Sequence, residues 1–189
     1  MKTLFLISGK AESGKDTLAK LLMKHLKGDF LTIAHIADEV KHIAKAEYGW
    51  DGIKDEKGRS LLQKIGDGER QKNSNIWIDK FIENLKALYV DRDNLLSYDA
   101  AVIVSDVRYK NEVIELVNFA HEKDIKCITI RVERPDHKSH LTEEQLKNSS
   151  EVDLDNWGIW DFKIINDDTI DSLDLVARRI LELCGVKYE

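Results

Sequence analysis

The stretch from residue 4 to residue 26 constrains the fold of this chain most strongly, because an apolar run, a glycine-bearing turn and an amphipathic segment follow one another directly. Leu4–Ser8 is apolar up to its last residue and is followed by glycine, which is typical of a strand buried on both faces of a parallel sheet. Asp16–Leu26 then places leucines at positions 18, 21, 22 and 26 on one helical face. The sequence therefore predicts a strand, a tight loop and a helix at the start of an α/β fold.

The rest of the chain repeats this alternation of apolar runs and amphipathic segments. Strands are predicted at Phe30–Ile36, Ala100–Ser105, Lys126–Val132 and Phe162–Ile165, and helices at Ala37–Tyr48, Ser60–Ile65, Ile76–Tyr89, Asn111–His121 and Thr169–Cys184. Gly66–Asn75 is interpreted as a polar connection between two helices, and Glu133–Asp155 as a loop or short helical excursion. Strands alternating with helices indicate a five-stranded parallel sheet covered on both faces, with ligands bound at the carboxyl ends of its strands.

Composition narrows the class of protein. The chain has 189 residues, of which 42% are hydrophobic and 34% charged, and this favours one folded domain over residues 1–189. A net charge of −6 argues against a protein that binds duplex DNA through bulk charge. Cys127 and Cys184 do not suggest a disulfide framework, and no apolar run is long enough for a membrane span. We therefore expect a cytoplasmic protein without nucleic-acid or membrane partners.

Gly9–Thr17 fits the pattern G-x-x-x-x-G-K of a phosphate-binding P-loop, between a predicted strand and a predicted helix. Glycines let backbone N–H groups surround phosphate oxygens, the helix N-terminus favours an anion, and Lys15 can reach the β- and γ-phosphates. The alternative is a glycine-rich turn that binds no ligand. The residues expected to contact ATP are Gly9, Lys10, Ala11, Glu12, Ser13, Gly14, Lys15, Asp16 and Thr17.

Two aspartates are candidate ligands of Mg²⁺. Asp16 stands where the P-loop pattern has serine or threonine, and a carboxylate there can hold the ion directly or through water. Asp106 follows the apolar run 101–105, as the acid of a Walker B segment does. The simpler alternatives are an acid favoured by a helix N-terminus for Asp16 and a turn-starting aspartate for Asp106.

Several short motifs together resemble the deoxynucleoside monophosphate kinases of bacteriophages and their bacterial relatives. Animal-type phosphomevalonate kinases share much of the pattern, including the aspartate after the P-loop lysine. The P-loop and the segment at 104–112 are the most specific parts. The motifs lie at Gly9–Thr17, Ala37–Lys41, Arg59–Gly66 with Arg70, Val104–Glu112, Ser149–Glu151 and Ile165–Asp167.

The resemblance implies a P-loop domain like that of nucleoside monophosphate kinases. Its core would comprise residues 1–37, 99–132 and 160–189. A region at about 38–90 would bind the phosphate acceptor, and a lid at about 133–155 would close over ATP. Family lids carry arginines; here Arg131 and Arg134 flank the start of the lid, and beyond them residues 136–148 offer only lysines and histidines as cations.

Phosphoryl transfer between two phosphate groups needs positioning and charge neutralisation rather than a strong base, so the chemistry predicts a ring of cations. Arg59, Arg70 and Arg108 are expected at the acceptor phosphate, with Lys41 and Asp38 as further substrate contacts. Lys15, Arg108, Arg131 and Arg134 are the candidate catalytic residues, and Asn166 is a candidate adenine contact. Surface ion pairs, a helix cap at Asp38 and a turn at Asn166 are the structural alternatives.

The pair His137 and His140 has the spacing H-x-x-H, which can bind a metal ion. No third ligand of matching spacing is evident and the surrounding segment is polar, so solvated histidines are the favoured interpretation.

Three functions remain open. The first is ATP- and Mg²⁺-dependent phosphorylation of a deoxynucleoside or nucleoside monophosphate to the diphosphate. The second is the same chemistry on a phosphomevalonate-type acceptor. The third is a P-loop protein that binds nucleotide and regulates a partner without catalysis, which the small number of lid arginines favours. A homodimer is kept open as an assembly.

Overall fold

Five parallel strands form the sheet at the centre of the computed structural model, which describes residues 1–90 and 99–189. The strands are β1 (Lys2–Ser8), β2 (Phe30–Ala34), β3 (Ala100–Val107), β4 (Lys126–Glu133) and β5 (Phe162–Ile165). Their order across the sheet is β2-β3-β1-β4-β5, and every neighbouring pair is parallel. The predicted α/β class with a five-stranded parallel sheet is confirmed. The domain predicted over residues 1–189 includes residues 91–98, which lie outside the described residues.

Helices cover both faces of this sheet. They are α1 (Lys15–His25), α2 (Asp38–Tyr48), α3 (Glu56–Lys72), α4 (Ile76–Val90), α5 (Lys110–Glu122), α6 (Glu143–Leu146), α7 (Ser149–Val152) and α8 (Ile170–Cys184). Successive side chains of a strand point to opposite faces of the sheet, so β1 contributes to the hydrophobic cores on both faces. Leu4 and Leu6 pack in the core shared with α2–α5, whereas Phe5 and Ile7 pack in the core shared with α1 and α8. Every residue of β1 from Thr3 onward is buried, which explains its nearly continuous apolar sequence.

The third helix corrects one prediction. Gly66–Asn75 was expected to separate two helices, but α3 continues to Lys72. Its N-terminus is capped by Asp55, whose side chain accepts a hydrogen bond from the Gly58 amide. Gly66 is buried and its carbonyl accepts a bond of 3.0 Å from the indole of Trp77. Tertiary packing thus outweighs the low helix propensity of glycine, and Arg70 lies on a helix rather than in a loop.

The carboxyl ends of the strands lead into the segments that matter for function. β1 leads through residues 9–14 into α1, β2 leads into α2, and β3 leads into α5. β4 leads into residues 134–155, which contain the one-turn helices α6 and α7, as the predicted loop with short helical excursions requires. In the described part of the chain, no helix is both long enough and apolar enough to span a bilayer.

Candidate active site

The P-loop turn is held in shape by glycine geometry and by one amide side chain. Gly14 caps α1 in the left-handed region, with φ of 95°, where residues with a Cβ are strained. The Asn166 side-chain amide donates a hydrogen bond of 2.9 Å to the Ser13 carbonyl. A Cβ added to Gly14 would lie only 2.2 Å from that amide nitrogen. Asn166, predicted to contact adenine, therefore supports the loop in this structure, and its adenine contact stays a prediction.

Lys15 is the charged centre of the loop. It is 6% exposed, and its ammonium donates a hydrogen bond of 3.1 Å to the Lys10 carbonyl. Burial and the nearby Arg108 guanidinium lower the pKa of Lys15 to about 8, although acids around it partly oppose this shift. The ammonium thus has too little compensating negative charge, and a bound anion would supply it.

Two further features concern the hydrogen-bond donors of the loop. Within the described residues, the buried hydroxyl of Ser13 has no hydrogen-bond partner. The Ala11 amide donates a hydrogen bond of 2.8 Å to a carboxylate oxygen of Glu151, which is also paired with Arg108 at 2.7 Å. A carboxylate of the protein itself is thus bound by a P-loop amide and an arginine, both of which are suitable donors to a phosphate.

Asp16 and Asp106 supply oxygen donors at the predicted metal position. The Ser105 hydroxyl donates a hydrogen bond of 2.9 Å to Asp16, which is exposed at the start of α1. The two carboxylate oxygens of Asp106 accept bonds of 2.8 and 3.0 Å from the amides of Ile36 and Ala37. These hard oxygens fit Mg²⁺, and Asp106 additionally fixes the start of the β2–α2 connection. Whether either aspartate binds the ion stays a prediction.

A first cavity of about 450 Å³ lies between the P-loop and the start of the predicted lid. Arg131 and Arg134 both line it. Arg131 is buried and donates hydrogen bonds to the Ser8 hydroxyl at 3.1 Å and to Asp155 at 3.2 Å, whereas Arg134 is exposed. Lys10 binds the same Asp155 at 2.8 Å. The two lid-flanking arginines therefore line the same cavity beside the P-loop, and their contact with a nucleotide stays a prediction.

A second cavity of about 400 Å³ lies on the other side of the loop and shares Ala11 with the first as a lining residue. Its walls bring together cations from α1, α2, α3, the loop before α3, and the end of β3. These cations are Lys15, Lys41, Lys54, Arg59, Arg70 and Arg108. All the basic residues predicted at the acceptor phosphate thus meet in one cavity.

Lys54 was missed by the sequence analysis because it lies in an ordinary polar loop. Its pKa is lowered, first by partial burial and then by the ammonium of Lys41, with the nearby Arg59 contributing. A lysine that meets other cations in a cavity indicates a place where an anion is expected. The sequence carried no signal for Lys54 beyond its charge.

The arginines predicted at the acceptor phosphate each have an acidic partner that sets their position. Arg59 lies 3.6 Å from Glu12, and Arg70 lies 3.2 Å from Glu112 while its guanidinium stacks 4.0 Å from the ring centre of Tyr109. Asp38 pairs with Lys41 at 2.6 Å. The Asp38 side chain is 60% exposed and does not line the second cavity. It is linked to the cavity through its pairing with Lys41, and its predicted role as a substrate contact stays a prediction.

Glu112 is a buried acid that contacts two of the basic residues lining the second cavity. Its carboxylate is 3% exposed and accepts hydrogen bonds from the amides of Arg108 and Tyr109 at 2.7 and 3.1 Å. Burial raises the pKa of Glu112 to about 7, although Arg70 and the amide donors oppose the rise. One buried acid therefore holds both the backbone of Arg108 and the side chain of Arg70.

One end of the second cavity is polar, and the sequence did not predict the residues that form it. Asp67 accepts a hydrogen bond of 2.8 Å from the Asn148 amide and one of 3.3 Å from the Tyr109 hydroxyl. Gln63 lines the cavity beside them. Gln63 belongs to the motif at 59–66, and Asp67 follows that motif on α3. Asn148 comes from the segment before α7, so its approach to Asp67 depends on the tertiary fold.

Comparison with known families adds one match over most of the chain. A family model described as phosphomevalonate kinase matches residues 7–123, which include the P-loop, α2, α3 and the Asp106–Glu112 segment. No curated protein matches this chain.

Solved structures share the fold at low sequence identity. A tunicamycin resistance protein of Deinococcus radiodurans has a TM-score of 0.54 and 14% identity, over 100% of this chain and 98% of that chain. An APS kinase of Mycobacterium tuberculosis has a TM-score of 0.47 and 10% identity over 96% and 97%. Shikimate kinase of Aquifex aeolicus has a TM-score of 0.44 and 14% identity over 97% of both chains. Such identities concern the fold alone.

Proposed function

This chain belongs to the phosphomevalonate kinase family, and from that premise we propose that it transfers the γ-phosphoryl group of ATP to a small molecule that already carries a phosphate. The observation that supports this proposal most directly is that two cavities lie on the two sides of one P-loop. One is lined by Arg131 and Arg134, and the other by six cations that include Lys15. A donor and an acceptor polyanion can thus meet across the loop.

In this proposal, the chain's own residues bind and neutralise charge rather than move protons. The attacking oxygen of the acceptor phosphate is already ionised, so no general base is required. Lys15 and Arg108 stabilise charge at the transferred group, and Arg59, Arg70 and Lys54 hold the acceptor phosphate. Asp16, supported by Ser105 and Asp106, would hold Mg²⁺, which when bound neutralises charge on the phosphates of ATP.

A deoxynucleoside or nucleoside monophosphate is the acceptor that we favour. The end of the second cavity carries the amides of Gln63 and Asn148 and the carboxylate of Asp67, groups that can hydrogen-bond to the edge of a base. A free carboxylate on the acceptor would be repelled by Asp67, whereas a neutral base would not.

Phosphomevalonate is the second candidate, and two observations favour it. The family model is that of phosphomevalonate kinases. In addition, Tyr109 is the one Phe, Tyr or Trp side chain among the described residues lining the second cavity, and Arg70 already covers its ring at 4.0 Å. An acceptor without a base needs no such stacking surface.

The test is acceptor-dependent release of ADP from ATP and Mg²⁺, measured with the deoxynucleoside and ribonucleoside monophosphates and with phosphomevalonate. We expect turnover with one acceptor class, its loss in Lys15→Ala, and its retention in Lys20→Ala, where an exposed lysine of the same helix is changed. Tight ATP binding without acceptor-dependent ADP release would instead support the non-catalytic regulatory alternative.

A further inference from the structure

A cluster of potential metal ligands joins the P-loop to the segment that follows β4. A carboxylate oxygen of Glu12 lies 3.1 Å from Nε2 of His137 and 3.2 Å from Nδ1 of His140. His137 and His140 lie 125 and 128 positions after Glu12 in the sequence. The three ligand atoms all lie within 4.8 Å of one another. The third ligand that local spacing failed to supply for the H-x-x-H pair therefore comes from Glu12.

Two of the three distances in this cluster are close to those found around a small divalent ion. Zinc binds histidine nitrogen and carboxylate oxygen at about 2.0–2.2 Å, so neighbouring ligand atoms of a tetrahedral site lie about 3.3 Å apart. The two distances from Glu12 are already close to this value. The two imidazole nitrogens lie within 4.8 Å of each other, and the His140 side chain, which is 86% exposed, has room for a ring rotation that would bring them closer.

We propose that Glu12, His137 and His140 form a binding site for a divalent transition-metal ion of the zinc type, with its fourth coordination position open. Two imidazoles and one carboxylate favour Zn²⁺, Co²⁺ or Ni²⁺, whereas Mg²⁺ prefers a set made only of oxygen. The site is thereby distinct from the aspartates Asp16 and Asp106.

The surroundings of Glu12 are compatible with this role. One carboxylate oxygen faces the two imidazoles, and the other lies 3.6 Å from the guanidinium of Arg59. The backbone amide of His140 also donates to the first oxygen at 3.2 Å, which fixes the direction of the carboxylate. A bound ion would fasten the segment 134–142 to the P-loop through Glu12, whose other carboxylate oxygen faces Arg59.

The experiment is titration of the full-length protein with Zn²⁺, and in parallel with Co²⁺, in the presence of excess Mg²⁺. Zn²⁺ binding is measured by calorimetry, and Co²⁺ coordination by its visible absorption. We compare the unchanged protein with His137→Ala, His140→Ala and His121→Ala; His121 is an exposed histidine of α5 that serves as the matched control. Circular dichroism verifies that each variant is folded.

We expect one equivalent of Zn²⁺ to bind, at least about tenfold weaker binding in each of the first two variants, and unchanged binding in His121→Ala. The Co²⁺ absorption should follow the same order. The proposal is overturned if the unchanged protein binds no Zn²⁺, if only one of the two histidines matters, or if His121→Ala weakens binding as much. Because the readout is metal binding, these outcomes are independent of whether the protein transfers phosphate.

Discussion

Asp16 and Ser105 meet at the end of the sheet, and Ser105 directly precedes Asp106, the predicted Walker B acid. A P-loop commonly carries the hydroxyl after its lysine and the carboxylate at the end of the Walker B strand. Here the carboxylate follows Lys15, and the hydroxyl of Ser105 donates to it at 2.9 Å. The hydroxyl that usually follows the lysine is thus replaced by a carboxylate, and a hydroxyl lies next to that carboxylate.

The hydrogen bond between Ser105 and Asp16 predicts that substitutions at these two positions have non-additive effects on kcat. Asp16→Ser removes the carboxylate and Ser105→Asp places a second one beside it, so each change alone should lower kcat by about 10- to 100-fold. The combined variant restores one hydroxyl and one carboxylate and should recover part of the loss, with a coupling of about 1–3 kcal/mol. Steady-state kinetics at several Mg²⁺ concentrations measures this. Purely additive losses would show that the two side chains do not act as a unit.

The lowered pKa of Lys15 predicts how ATP binding depends on pH. In the free protein its pKa is about 8, below the usual 10.5, and ATP favours the protonated ammonium. As pH rises through 8, more of the free protein carries a neutral lysine, so the Kd for ATP should rise by up to about tenfold per pH unit.

Lys15→Arg is the control for this prediction, because arginine stays charged over the whole range. Its Kd for ATP should show no inflection near pH 8. Fluorescence or calorimetric titration from pH 6.5 to 9.5 measures both proteins, and a constant Kd in the unchanged protein would contradict the assignment.

At the scale of elements, short segments from distant parts of the chain set the positions of the basic side chains. The N-terminus of α5 presents Glu112 to the amides of Arg108 and Tyr109, and α3 presents Arg70 to the same carboxylate. The one-turn helix α7 presents Glu151 to Arg108 and to the P-loop. The cavity therefore depends on how three helices dock at the edge of the sheet.

Glu112 makes a measurable contribution to pH-dependent stability. Burial raises its folded-state pKa to about 7 from 4.5, so the folded protein binds this proton more tightly than the unfolded chain does. The stabilisation is complete below pH 4.5 and is lost as pH rises through 7. The free energy of unfolding, relative to Glu112→Gln, should fall over that range by up to about 1.4 kcal/mol per pH unit.

Urea denaturation of the two proteins at pH values from 4.5 to 8 gives this difference directly, because contributions from other groups cancel. A difference that rises with pH would mean that Arg70 and the two amides, rather than burial, dominate the carboxyl group.

The elements also show where sequence reasoning succeeded and where it failed. Buried strands and the P-loop were predictable because apolar runs and the G-x-x-x-x-G-K spacing are local signals. The continuation of α3 through Gly66 and Gly68 was not, because its support comes from a bond to Trp77 in another helix. Local propensity carries no information about such a partner.

At the scale of the whole molecule, the sheet order brings the loops after β1, β2, β3 and β4 to one edge. This convergence was expected from the parallel topology, and the arginines predicted at the acceptor phosphate share the second cavity at that edge. Which residues become neighbours was not predictable. Lys54, Asp67 and Glu151 gain their roles from contacts that join segments far apart in sequence, and the same is true of Glu12 and the two lid histidines.

In the proposed function, one P-loop separates a phosphoryl donor from a phosphorylated acceptor. The most direct measurement follows ATP labelled at its γ-phosphate in a single turnover, with the acceptor that releases ADP fastest. We expect the label to appear as the terminal phosphate of a new diphosphate on the acceptor, and we expect Lys15→Ala to leave it on ATP. Label that is released only as inorganic phosphate, or that stays on ATP with every acceptor, would show that the protein does not transfer phosphate to such an acceptor.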